Sequence, residues 1–178
     1  MAARDSISFP PTSDADIIFI SSDRVRYGIH SKNLEVNTGG FPPINAQDGL
    51  SLTSEPVPLP ENSSVLDLLF PFIYPIDRPN VEDMDFKTVI ELAEAAEKYQ
   101  VYSAAHVCRL CLRYSGDFIK NHPVEVALFA VKHGYTELLE LTGAHGAALP
   151  LSTVVVLLPE RLILPWVSIT FEIMPNYP

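Results

Sequence analysis

The sequence predicts an α+β fold, predominantly helical, in which a small β-sheet of about three strands is capped by a cluster of α-helices. Two observations carry this. Residues 86 to 114 read as two amphipathic helices back to back, and residues 16 to 29 read as a β-hairpin. In the first helix Phe86, Val89, Ile90, Ala93 and Ala96 recur at helical spacing, with Lys87, Glu91, Glu94 and Lys98 on the opposite face. Glu94 precedes Lys98 by one turn, the favourable order for a surface pair. In the second helix Ala104, Val107, Cys108, Cys111 and Leu112 form the apolar stripe, while Arg109 and Arg113 form a basic row.

The remaining elements follow in chain order. Residues 1–13 carry two prolines and little pattern, which predicts a flexible arm. Asp16-Ile17-Ile18-Phe19-Ile20 is a strand apolar on both faces. After Ser21-Ser22-Asp23, Val25, Tyr27 and Ile29 alternate with Arg24, Arg26 and Gly28, a strand covered on one face. A short helical turn from His30 to Leu34 is stopped by Gly39, Gly40, Pro42 and Pro43, and the polar run to Glu55 reads as an irregular loop. Pro56-Val57-Pro58-Leu59-Pro60 lacks too many backbone donors for a central strand and is placed at the sheet edge.

Asn62 or Ser63 then caps a helix with the stripe Val65, Leu68, Leu69, Phe72 and Ile73, bent by Pro71 and ended by Pro75. Pro123 marks the first turn of another helix, with Val124, Ala127, Leu128 and Val131 as its stripe and Gly134 as its stop. A shorter helix follows from Thr136 to Leu141. The organisation expected is an arm (1–13), a main domain (14–115), a helical extension (116–149) and an apolar C-terminal segment (150–178).

Composition excludes some partners. Asp and Glu number 22 against 12 Lys and Arg, a formal net charge of −10, which disfavours direct binding to a phosphate backbone. Two cysteines and a start without a long apolar run behind basic residues suit an intracellular protein of the cytoplasm or nucleus. The apolar stretch 149–174 is interrupted by Glu160, Arg161, Pro150, Pro159 and Pro165, which favours a buried or partner-covered helix pair over membrane insertion.

The order of these elements resembles a BTB/POZ domain. The hairpin opens D-A-D-I-I-F, Y-G-I-H-S-K-N-L follows, then V-P-L-P-E, a helix ending F-I-Y, and L-A-E-A-A-E-K-Y. Asp16, Tyr27, His30, Leu34, Phe72, Tyr74, Leu92, Ala96, Lys98 and Tyr99 stand where that family has its D-V-x-F, F-x-A-H-x-x-x-L, F-x-Y and F-x-x-x-L-x-x-A-x-K-Y positions, and Pro123 to Leu149 resembles the helical extension of fungal members. The resemblance implies a non-catalytic docking domain that pairs with itself or with another BTB protein. Its contact residues would be Asp16 and Lys32 at a dimer seam, with Phe41 and Pro42 on the first loop. Some relatives adapt substrates to cullin-based ubiquitin ligases, so a cullin adaptor is the alternative. The hydrophobic-x-Glu signature of those relatives is not matched, because Leu52-Thr53-Ser54-Glu55 is one residue too long.

A third reading takes Cys108-Arg109-Leu110-Cys111 as a metal or redox site. A structural zinc site wants four ligands and a redox thiol wants an exposed position at a helix start, whereas both cysteines fall mid-helix on the apolar stripe. Core packing is the expectation. The five histidines show no ligand spacing, and no G-x-S-x-G elbow, P-loop or G-x-G-x-x-G occurs, so no catalytic group, cofactor or metal is assigned.

Overall fold

Strands β2 (Ile17–Ile20) and β3 (Val25–Ile29) form the hairpin that the alternation predicts, antiparallel with Ile17 opposite Ile29 and Phe19 opposite Tyr27. They belong to a computed structural model that describes residues 3–12, 14–41 and 56–146, together with Glu160, Ile163, Leu164, Val167 and Ser168. The Ser21 hydroxyl closes the hairpin turn by accepting the Val25 N–H at 2.8 Å, and Arg24 takes a left-handed φ of 67° to complete it.

Among the described residues the sheet has four strands, in the order β1-β3-β2-β4, rather than about three. The additional strand, β1 (Arg4–Asp5), comes from the segment expected to be a flexible arm. It pairs parallel to β3, and Phe9 behind it is buried. The arm is held because its backbone finds donors and acceptors on β3 and its one aromatic ring finds a pocket. On the other side β4 (Val57–Pro58) pairs parallel to β2 at the edge, where proline costs no ladder bond; Leu59 N–H continues the pairing to Ile20 O at 2.8 Å.

The chain divides into two compact units, Met1–Cys108 and Arg109–Pro178. In the first, helix α1 (Ser31–Asn37) follows β3 directly and is longer than the single turn expected. Helix α2 (Ser63–Leu69) is capped by Asn62, whose side chain accepts the Val65 N–H at 3.0 Å. Pro71 tightens the next turn into a 3₁₀ helix, Phe70–Ile73; the buried set over both turns is Val65, Leu66, Leu69, Phe70, Phe72 and Ile73, and Leu68 is half-buried.

Helix α3 (Phe86–Lys98) buries Val89, Leu92, Ala93, Ala95 and Ala96, so its inner face is rotated from the predicted stripe, with Leu92 inside and Phe86 and Ile90 half-buried. Lys98 pairs with Glu61 at 2.7 Å. The helix ends with Gln100 left-handed at φ 52°, Gln100 N–H bonded to Glu97 O and Val101 N–H to Ala96 O. This is a Schellman turn built without glycine, and it lets α4 (Tyr102–Tyr114) start at once.

Phe70 is the hub of this unit's core. Its ring lies 5.1 Å from Tyr27, 5.8 Å from Phe9, 6.1 Å from Phe19 and 6.5 Å from Phe41. Each ring of this size contributes about 1.5–3 kcal/mol when fully buried, so helices and sheet are stable only together. The Tyr27 hydroxyl, 3.0 Å from Asp67 Oδ1, is pushed far above the usual tyrosine range by burial and by the Asp67 charge.

In the second unit α5 (Gly116–Asn121) precedes α6 (Pro123–His133) and α7 (Thr136–Gly146). Pro123 opens α6 and Gly134 closes it at φ 76°, as the spacing predicts; α5 had no stripe to announce it. Val124 and Ala127 form a small core with Leu128, Leu139 and Ile163. Arg113 pairs with Glu137, and the Arg109 guanidinium stands 5.0 Å over the Tyr135 ring. The expected helix pair across 149–174 lies outside the described residues apart from the five named. Among the described residues no helix is long and apolar enough to cross a membrane.

Candidate functional site

The junction of β3 with α1 gathers Asp14, Asp16, His30, Ser31 and Tyr74. Helix α1 has His30 as its N-cap, and that side chain makes no capping bond. Asp16, just ahead of β2, supplies the acceptor instead: its Oδ1 takes the Ser31 N–H at 2.7 Å and its Oδ2 takes the Ser31 hydroxyl. A carboxylate at a helix start also meets the positive end of the peptide dipoles.

His30 itself faces two groups. Its backbone N–H donates to the Tyr74 hydroxyl at 3.0 Å, and its Nδ1 lies 2.9 Å from the same oxygen. On the other side of the ring, His30 Nε2 lies 3.4 Å from Asp14 Oδ2. Hydrogen bonds from Thr12, from its own backbone and from His30 hold the Asp14 carboxyl below the usual range. Burial is the main influence raising the Tyr74 hydroxyl above its usual value.

Lys32 is exposed on the first turn of α1, next to Ser31. The structure therefore brings Asp16 and Lys32 to one junction, but the bonds of Asp16 go to Ser31. Along the outer side of α1, Lys32, Glu35 and Val36 are exposed, Val36 to 78%, while Leu34 alone is buried. Sequence reading missed Glu35 and Val36; their signal was that the residues three and four positions before Val36, Asn33 and Lys32, are polar.

Phe41 is placed elsewhere. Its ring stacks on Tyr99 at 4.3 Å and 12°, and it approaches Phe19 at 5.4 Å, so its first contacts are within the chain. The Tyr99 hydroxyl donates to Glu61 Oε2 at 2.5 Å, and burial, then Glu61, drive its pKa far upward. Gly40 allows this docking: a Cβ there would lie 2.6 Å from Lys98 O and 2.8 Å from the Tyr99 carbonyl carbon. Pro42 lies outside the described residues.

Cys108 and Cys111 are both buried thiols with no disulfide between them. Among the described residues no group of three or more His, Cys, Asp or Glu side chains is placed to hold a metal ion. No protein-family model matches the chain, and no curated protein matches it at a significant level.

Proposed function

We propose that the chain is a protein–protein docking domain of the BTB/POZ type that self-associates through the outer face of α1. The observation that carries the reading is the make-up of that face: Val36, 78% exposed, lies one turn after the exposed Lys32 and next in sequence to the exposed Glu35. One cation and one anion around an apolar residue form a self-complementary patch. In a two-fold pair Lys32 of one copy meets Glu35 of the other around the two Val36 side chains.

The element order supports the class: hairpin, α1, proline-flanked edge strand, α2 and then the α3–α4 pair follow the succession on which the resemblance rests. A related domain carrying the same charge pattern is the natural alternative partner, and cullin adaptation is the secondary reading. The domain performs no catalysis in this account. Cys108 and Cys111 serve packing, and the acidic balance keeps nucleic acid away. Sedimentation velocity of the full chain with and without Val36→Asp tests the proposal. The wild-type chain should show a concentration-dependent heavier species that the variant lacks; equal behaviour of the two would refute the α1 face.

A further inference from the structure

The strap formed by residues 3–12 lies on a seat with the chemistry of a peptide-binding edge. Three groups on alternate residues, Arg24 just ahead of β3 and Arg26 and Gly28 within it, meet its backbone: Arg24 O accepts the Arg4 N–H at 3.1 Å, Arg26 O accepts the Ser6 N–H at 2.8 Å, and Gly28 N–H donates to Phe9 O at 2.9 Å. Charge matches along the same line, with Arg26 paired to Asp5 at 2.7 Å and Asp23 to Arg4 at 3.7 Å. The Phe9 ring fills an apolar pocket against Phe70 and Tyr74, at 5.8 and 5.2 Å. Gly28 makes the floor, since a Cβ there would lie 2.7 Å from both Pro10 O and Pro11 Cα. Close passage of a proline-containing strand is thus built into β3.

Little fastens the strap between these anchors. Its strand is two residues long, its ion pairs are solvent-exposed, and Ile7 is 99% exposed where the backbone arches away from β3. We infer that the β3 edge is a strand-addition site filled in cis by its own strap. In trans it takes an extended protein segment with a carboxylate against Arg26 and, four residues on, an aromatic ring followed by proline, the spacing of Asp5, Phe9 and Pro10. This rests on the docking reading and gives it a second surface, distinct from the α1 face.

A fluorescent peptide of sequence ARDSISFPPT, titrated into the full-length protein by anisotropy, tests it. Phe9→Ala empties the pocket and weakens the strap, so this variant should bind the peptide at least about tenfold more tightly than the wild-type chain. Replacing the peptide's phenylalanine by alanine should abolish binding. A peptide with lysine for its aspartate should bind poorly, and Arg26→Glu in the protein should restore it. Should circular dichroism show that Phe9→Ala does not fold, Ser6→Pro removes one strap donor and keeps the ring. Absence of binding to a folded strap variant overturns the inference, as does equal binding to variant and wild type. Dissociation of a wild-type oligomer by the peptide would put a neighbour's strap in the seat and also overturn cis occupancy. Val36→Asp should leave peptide binding intact, so failure of the α1 face and failure of the β3 seat are told apart.

Discussion

The Asp16 carboxylate holds the start of α1 by taking both the backbone N–H and the hydroxyl of Ser31. A residue expected at a partner seam thus has a structural task inside its own chain. Asp16→Ala should cost about 1 kcal/mol, the usual effect of losing a helix-start acceptor. Ser31→Ala keeps the N–H bond and should cost less. Urea denaturation of the two variants at neutral pH checks the order; equal losses would contradict it.

Asp23 does the same for α2 across the hairpin turn, accepting the Ser63 N–H at 2.7 Å, the Ser63 hydroxyl at 2.6 Å and the Ser21 hydroxyl at 2.7 Å. Burial alone would raise its pKa, but these donors outweigh it and bring the carboxyl to about 2 from 3.8. A depressed folded pKa means the ionised form stabilises the fold above the unfolded value, and that stabilisation is lost as pH falls towards about 2. The stability gap between the wild-type chain and Asp23→Ala should therefore be constant from pH 7 to about 4 and narrow between about 4 and 2. Denaturation midpoints against pH measure it; a gap unchanged through that window would be inconsistent with the donors named.

Two glycines should respond with opposite signs. Alanine at Gly40 drives a Cβ into the Lys98 carbonyl and the Tyr99 backbone, so the segment carrying Phe41 must lift off its stacked ring. Nothing lies within 4 Å of a Cβ at Gly116 at the start of α5. Gly40→Ala should lose about 1–3 kcal/mol, and Gly116→Ala should gain about 0.4–1 kcal/mol. Thermal melts of both variants read this directly.

Much of the secondary structure is legible in the sequence because its signals are local. The 3.6-residue spacing locates α3 and α4, the alternation from Val25 locates β3, and Pro123 and Gly134 bracket α6. What escaped depends on partners distant in sequence. The strap has no pattern of its own and becomes a strand only because β3 and the residue ahead of it offer Arg26 O, Gly28 N–H and Arg24 O. Lys98 reaches Glu61, far from it in sequence, and the turn at Gln100 lacks the glycine that normally announces such an end. At the candidate site, Asp16 and Lys32 were found by resemblance. Their true setting, with Ser31, His30 and Tyr74, follows only from the hairpin folding back.

The buried thiols yield a prediction about metal. Cys108 and Cys111 sit inside α4's apolar face, and replacing them with Ala and Ser should cost stability on the order of 1–2 kcal/mol while leaving partner binding unchanged. Purified protein should carry no stoichiometric zinc by elemental analysis. One zinc per chain would overturn the packing role.

Charge exchange on α1 probes the self-complementary face. Lys32→Glu and Glu35→Lys alone should each weaken self-association, because each places like charges opposite one another in the pair. Together they should restore it. Equilibrium sedimentation of the three variants distinguishes this from a general effect of surface charge, in which the double variant would gain nothing over the single ones.

The most direct test of the docking account is light scattering of the full-length wild-type chain over a wide concentration range. The account predicts that the mass rises from one chain towards two as concentration increases. A mass of one chain at every concentration would contradict it.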